Sequence, residues 1–167
     1  MRSSLPQLFS CLTHGVYVVG VSADAVVNAF TAALIMQVSF DPPMVALSVN
    51  PHHRSYQILK RSQGFSVNVL SHERIDLAMH FGQPAEVDKL STVPWSRSGA
   101  GMPILDDALA WFDCHVVGEL TAGDHVVVTA MVVDGAVRHE AAVPMNYRDT
   151  GSMDGSAALF PSDFPEP

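Results

Sequence analysis

Residues 108–133 read ALAWFDCHVVGELTAGDHVVVTAMVV, and this stretch decides the fold class. Ala108 to Leu120 and His125 to Val133 are rich in β-branched and aromatic residues, with Thr121-Ala122-Gly123-Asp124 between them. Two such runs around a short connection that holds a glycine describe an antiparallel hairpin, because glycine reaches positive φ without a steric cost. Asp134-Gly135 marks a further turn, and Ala136 to His139 is placed to pair back.

Upstream of this hairpin the same character recurs. Val16 to Ser22 (VYVVGVS) reads as a strand. In Val26 to Phe40 (VVNAFTAALIMQVSF) the centre, Ala32 to Met36, is compatible with helix by propensity. The surrounding Thr, Val, Ser and Phe and the Asp41-Pro42-Pro43 stop favour a strand. Met44 to Val49 (MVALSV) is a continuous apolar run suited to a central strand, and Phe65 to Leu70 (FSVNVL) alternates as a half-buried one. Two helices are expected. The first has Asn50 as N-cap and Pro51 at its first position, runs from about His52 to Arg61, and buries Tyr56, Ile58 and Leu59. The second has Ser71 as N-cap and runs from Glu73 to His80, stopping near Gly82. Residues 83–103 are rich in Pro, Gly and Ser and read as an extended excursion with little regular structure. Six or seven strands, two short helices and no repeat point to a closed or split β-barrel, since a doubly wound sheet would place a helix between most strands.

Composition narrows the function classes. The chain of 167 residues is 48% hydrophobic and 16% charged, which fits one globular domain over residues 1–167, with 146–167 as a loosely structured C-terminal tail. A mean hydropathy of +0.20 with so few charges points to apolar surface buried in a partner copy, hence a homo-oligomer. The net charge is −8 and the nine basic residues are scattered, so a phosphate-tracking nucleic-acid surface is not expected. Cys11 and Cys114 stand far apart and make no disulfide framework. The N-terminus lacks the pattern of a signal peptide, and the apolar runs are too short to span a bilayer. The expectation is a soluble cytoplasmic protein without a membrane partner.

The strong catalytic signatures are absent: G-x-G-x-x-G, the phosphate-binding G-x-x-x-x-G-K-[ST], H-E-x-x-H, C-x-x-C and G-x-S-x-G do not occur. The eight histidines are scattered without ligand spacing, so no metal site is expected. The most informative local cluster is Asn50-Pro51-His52-His53-Arg54-Ser55-Tyr56. A helix N-terminus offers free N–H groups and the positive end of the dipole; Arg54 adds a charge-assisted donor and Ser55 a hydroxyl, while the histidine pair reads as surface groups on the phosphate side. By itself this is also how an ordinary capped surface helix looks.

Its company is Val27-Asn28-Ala29-Phe30-Thr31-Ala32, then Gln37-Val38-Ser39-Phe40-Asp41-Pro42-Pro43-Met44-Val45-Ala46-Leu47-Ser48-Val49-Asn50. With Phe65 to Ser71 (FSVNVLS), Gly101 to Phe112 (GMPILDDALAWF) and Ala122-Gly123-Asp124-His125, this ordered series resembles the flavin reductase family over roughly residues 8–145. The resemblance implies a mainly β fold, an FMN-binding split β-barrel of Greek-key type with short inserted helices. It also implies the site. Asn28, Phe30, Thr31 and Ala32 would line the flavin ring and ribityl chain, and Ser48, Val49 and Asn50 would run along its other side. Arg54, Ser55 and Tyr56 would hold the phosphate, and His125 would sit near the ring and the nicotinamide as the catalytic candidate.

FMN is the expected cofactor, with FAD open, and NADH or NADPH the expected electron donor. Reduced flavin would serve free flavin, an oxygenase partner or another acceptor, in a dimer whose second copy completes the pocket. Each assignment has a plainer counterpart: Thr31 and Ser48 as polar strand residues, Phe30 as core, His125 as a hydrogen-bonded structural histidine. The chain departs from many relatives at Asn28-Ala29, where they have Asn-Gly, and at Asn146-Tyr147-Arg148-Asp149-Thr150-Gly151, which replaces their His- and Gly-containing ending. Two rivals stay open: a non-catalytic FMN electron carrier of the same fold, and a barrel turned to haem with His125 or His80 as axial ligand.

Overall fold

The computed structural model describes residues 3–84, 86–151 and 153–164. Seven strands form one antiparallel sheet: β1 (Tyr17–Ala23), β2 (Val26–Ala32), β3 (Ile35–Ser39), β4 (Met44–Val49), β5 (Gly64–Val69), β8 (Ala110–Ala122) and β9 (His125–Val137). Their spatial order is β2-β1-β5-β8-β9-β4-β3, and a separate hairpin pairs β6 (Trp95–Arg97) with β7 (Pro103–Leu105). Three α-helices accompany them: α1 (Leu5–Phe9), α2 (Arg54–Ser62) and α3 (Ile75–Phe81).

The stretch from Val26 to Phe40, expected as one strand, is two strands broken at Ala33 and Leu34. The break has a topological reason. β2 and β3 are the opposite edges of the sheet, yet only two residues separate them along the chain. A flat sheet of seven strands would hold its edges about 29 Å apart at ~4.8 Å per strand. The link can reach only about 10 Å at ~3.4 Å per residue. The sheet is therefore curled, and the backbone of the link is tied inward where the Ser48 N–H donates to the Leu34 carbonyl at 2.9 Å. Phe30 on β2 and Ile35 on β3 accordingly share one core with Val19, Leu47, Phe65 and Val128. α2 closes this core with Tyr56, Ile58 and Leu59. A second core, on the other side of β1 and β2, collects Leu77, Ala78 and Phe81 of α3 with Val16, Leu105 and Met145.

Both helices start later than the sequence suggests. His53, not Asn50, is the N-cap of α2. The Asn50 side chain accepts from the His52 N–H at 2.9 Å and its carbonyl from the His53 N–H at 3.1 Å, so Asn50 closes a turn ahead of the helix. Arg74 rather than Ser71 occupies the N-cap position of α3, with its guanidinium bridging Asp76 and Asp107. β5 is buried on both faces instead of one. Its polar side chains are satisfied internally: Ser66 donates to the Pro103 carbonyl, and Asn68 donates to the Val18 carbonyl and accepts from the Leu105 N–H. These bonds seat the β6–β7 hairpin on the sheet. Gly20 permits that approach, because a Cβ there would lie 2.5 Å from Ser66 Oγ and 2.6 Å from the Pro103 carbonyl oxygen.

The opening hairpin is present and longer than expected. β8 and β9 pair from Ala110↔Val137 to Ala122↔His125, which leaves a two-residue loop, Gly123-Asp124, with Gly123 at φ 63°. Asp134-Gly135 is not a turn; it lies inside β9 beside a register shift at Asp113/Cys114 that absorbs one extra residue. After Asn146 the chain forms two 3₁₀ turns, Tyr147–Thr150 and Ser156–Leu159, in a segment where the sequence offered no element. No helix among the described residues is long and apolar enough to cross a membrane.

Candidate functional site

The start of α2 is where three separate parts of the chain converge. β2 runs past it, so that Asn28 Nδ2 donates to Ser55 Oγ at 3.0 Å while Asn28 Oδ1 accepts from the Ala29 N–H at 2.9 Å. Phe30, two residues on and on the same face, meets the His53 ring edge-on at 6.2 Å between centroids. β4 delivers Ser48, Val49 and Asn50 directly to the turn that precedes the helix. Asn28, Phe30, residues 48–50 and Ser55 thus belong to one neighbourhood, with Ala32 farther along the same face of β2.

The electrostatics of this neighbourhood oppose those of the whole protein. The His53 imidazole is held below its ordinary pKa by burial, then by the positive fields of His125 and Lys89. The charges of His125, from the first position of β9, and Lys89, from the excursion after α3, therefore act on the start of α2. Lys89 is only 3% exposed. Its ammonium donates to the Phe81 and Gln83 carbonyls, both at 3.2 Å, and has no carboxylate partner among the described residues. Burial pushes its pKa down from the usual lysine value. His125 donates Nδ1–H to Asp124 Oδ1 at 2.8 Å, which leaves Nε2 as the acceptor in the neutral ring. Arg54 stands exposed in the first turn, where there is no acidic residue and no side-chain cap. In a chain of net charge −8, Arg54 and the field of the buried Lys89 thus meet at a helix N-terminus, itself the positive end of a dipole.

Two of the expected site residues point elsewhere. Thr31 alternates to the opposite face of β2, and its hydroxyl donates to the Ala78 carbonyl at 2.7 Å, tying β2 to α3. Tyr56 is 5% exposed and its hydroxyl donates to Glu119 Oε2 at 2.9 Å. Burial and that carboxylate both push the phenol above its ordinary pKa. The tyrosine thus fastens α2 to β8 rather than joining the cationic cluster. Sequence reasoning missed Lys89, because a lone lysine in a Pro-, Gly- and Ser-rich stretch looks solvated until the fold buries it. His53, read from the sequence as a surface group on the phosphate side, is exposed and is the N-cap residue of α2.

Among the described residues no group of three or more His, Cys, Asp or Glu is placed to hold a metal ion. His80 Nε2 is engaged at 2.7 Å with the Lys89 carbonyl oxygen, which gives that histidine a structural task.

A family model described as a flavin reductase like domain matches residues 9–156. The chain belongs to the flavin reductase family. Within it, the flavin reductase of Pseudomonas putida is 31% identical over 166 residues, covering 95% of each chain. The reductase subunit HsaB of a flavin-dependent monooxygenase from Mycobacterium tuberculosis is 34% identical over 130 residues, or 78% of this chain and 66% of that one. Among solved structures, the NADH:FAD oxidoreductase SgcE6 of Streptomyces globisporus C-1027 superposes with a TM-score of 0.80 at 28% identity, covering 87% of this family member and 88% of SgcE6. The chain spans only 44% and 42% of the length of two other curated relatives that it matches.

Proposed function

We propose that this flavin reductase family member is an NAD(P)H-dependent flavin oxidoreductase whose start of α2 seats the phosphate of FMN. The observation that carries the proposal is the uncapped start of α2 in an acidic protein, where Arg54 stands exposed, Ser55 is held by Asn28, His53 meets Phe30, and the fields of Lys89 and His125 are felt. The donor set fits a phosphate. Ser55 Oγ already accepts from Asn28, so its own proton is free to be donated outward; Arg54 stands exposed to make a charge-assisted bond; and Lys89 supplies positive charge that no carboxylate among the described residues neutralises.

The bound flavin would supply the hydride- and electron-carrying chemistry, which the side chains do not. Their tasks are narrower. Asn28 orients Ser55; Phe30, Ala32 and Val49 give the apolar walls that keep water from the ring; Ser48 and Asn50 present backbone and amide groups along the cofactor's length. His125, its Nδ1–H held by Asp124, offers Nε2 to a donor such as the carboxamide of the nicotinamide. Thr31 and Tyr56 act on the frame, through β2–α3 and α2–β8.

The finer features of the family follow the same proposal. The curled sheet, with β2 and β3 consecutive in the chain and no ladder joining them among the described residues, is taken as a split barrel of Greek-key type forming a single domain. Met36, Val38 and Phe40, which are 63%, 47% and 87% exposed on or beside the edge strand β3, are taken as the surface on which a second copy docks to form a homodimer. FMN is preferred to FAD, since the site offers a phosphate seat and no recognisable adenine reader. The kinship with HsaB supports an oxygenase component as electron acceptor; a cytoplasmic location is part of the same proposal.

The test is a visible spectrum of the purified protein with FMN added, followed by NAD(P)H oxidation. A bound flavin and rapid oxidation are expected. Absence of flavin binding removes the proposal, and tight FMN with negligible NAD(P)H oxidation replaces it with the electron carrier.

A further inference from the structure

The inner face of β8 is set by alternation and then reset by a bulge. Phe112, Cys114 and Val116 point into the first core, with Val19, Leu47 and Val128. Continued without interruption, the period of two would bring Gly118 and Leu120 inward and leave Glu119 outside. The register shifts instead: Val116 faces Ala130 and Gly118 faces Thr129, so Val117 is an extra residue without a partner in the ladder. Every side chain beyond it changes face. Glu119 comes to lie opposite Val128, which is fully buried, and Leu120 opposite Val127, where it is 70% exposed. A leucine is given to solvent and a carboxylate turned inward, the reverse of what burial alone favours.

The carboxylate is met by α2. The Tyr56 hydroxyl donates to Glu119 Oε2 at 2.9 Å. Lys60 Nζ, one helical turn on, lies 3.6 Å from Glu119 Oε1 and 5.6 Å from the centre of the Tyr56 ring. Lys60 and Glu119 are half-exposed, so their ion pair is screened and the tyrosine bond carries most of the tie. Tyr56 follows Ser55, which Asn28 of β2 holds at 3.0 Å. The first turn of α2 is thus pinned to β2 on one side and to β8 on the other. The β8 side carries more than a strand. His125 pairs with Ala122, three residues beyond Glu119 and about 10 Å along the ladder at ~3.3 Å per residue. Tyr56 also shares its core with Val126, the residue after His125. Re-aiming a side chain beside an active site is what bulges commonly do.

We propose, on the reading of the α2 start as the phosphate seat, that Glu119 is a positioning residue: turned inward by the bulge at Val117, it holds Tyr56 and so fixes the phosphate seat relative to His125. Glu119 acts through α2 and takes no part in the chemistry itself.

The experiment compares full-length Tyr56→Phe, Glu119→Ala, the double variant and Glu119→Gln with the wild type. It measures NAD(P)H oxidation at saturating FMN, FMN affinity by fluorescence quenching, and thermal unfolding. Tyr56→Phe and Glu119→Ala should each lower kcat by about tenfold, as expected for an intact group that is misplaced, with Kd for FMN within about twofold of the wild type. The double variant should match the single ones, because all three remove the same link. Glu119→Gln keeps an oxygen for the Tyr56 hydroxyl and should stay within about twofold of wild-type kcat. A lowered unfolding temperature with kcat unchanged is the mark of a merely structural tie and overturns the proposal. So do additive losses in the double variant, or a Glu119→Gln as slow as Glu119→Ala. A wild type that neither binds FMN nor oxidises NAD(P)H removes the flavin reading and this role with it, whereas variants as fast as an active wild type remove this role alone.

Discussion

Replacing Lys89 with methionine isolates the phosphate seat from the rest of the cofactor site. Methionine keeps the apolar stem and nearly the length of the buried side chain but removes the ammonium. In the folded protein that ammonium is 3% exposed and bonded to two carbonyls at 3.2 Å, with no carboxylate beside it among the described residues. Its charge is therefore unneutralised by side chains and available to an incoming anion. Loss of an interaction with a charged group is worth about 1.5–3 kcal/mol. That corresponds to roughly ten- to hundredfold in Kd. The same substitution costs the fold little. It strips a donor from the Phe81 and Gln83 carbonyls, about 1 kcal/mol each, and relieves the burial of a charge. The assay is flavin fluorescence quenching with FMN and with riboflavin, which carries the same ring without the phosphate. Affinity for FMN should fall by that factor while affinity for riboflavin stays within about twofold. An equal loss for both ligands, or an unchanged FMN affinity, refutes a phosphate at the start of α2.

Asp113 gives a test of stability. It is 1% exposed, and among the described residues neither carboxylate oxygen has a partner within hydrogen-bonding geometry. Burial raises its carboxyl above the usual value, and the pull from nearby Ser98 and Ala100 does not offset it. The folded state thus holds this proton to higher pH than the unfolded chain does. The contribution of Asp113 to stability is greatest at low pH and falls as pH rises from about 4 through its folded pKa. Asp113→Asn should flatten that slope and leave stability at pH 7 equal or higher by about 1–3 kcal/mol; urea unfolding at pH 4.5 and 7 checks it, and a less stable variant at pH 7 contradicts it. On the proposed homodimer, the wild type should sediment as a dimer and Met36→Lys as a folded monomer, since this side chain is 63% exposed on an edge strand; a monomeric wild type or an unchanged mass of the variant rejects β3 as the interface. His125→Ala should slow NAD(P)H oxidation by roughly a hundredfold with FMN affinity preserved, as expected for loss of a positioning contact; parallel loss of both would make it a cofactor anchor instead.

How much was legible in the sequence differs between the elements and the site. Hydrophobic period and turn chemistry are local, so the strands around Val16–Ser22, Met44–Val49 and the long hairpin could be read from their own residues. The order of motifs carried the family, and the helix start at Asn50–Tyr56 carried the idea of a phosphate seat. The two faces of β5 could not be read in the same way. Ser66 and Asn68 look solvent-facing until a hairpin nearly 40 residues on packs over them with its own carbonyl and N–H groups. Asp134-Gly135 has the composition of a turn, but pairing with β8 across a bulge holds it in a strand. Thr31 and Tyr56 lie within the right motifs, yet strand alternation and a long-range bond to Glu119 aim them away from the cluster. Lys89 and His125 reach His53 from segments 36 and 72 residues away in sequence, and only the curled sheet brings them there. The sequence by itself determined where the main strands lie, because that depends on the pattern of neighbours along the chain, but not the break between β2 and β3 or the β6–β7 hairpin. The tertiary structure decided which side chains share a site, because burial and charge are set by residues that the chain order keeps apart.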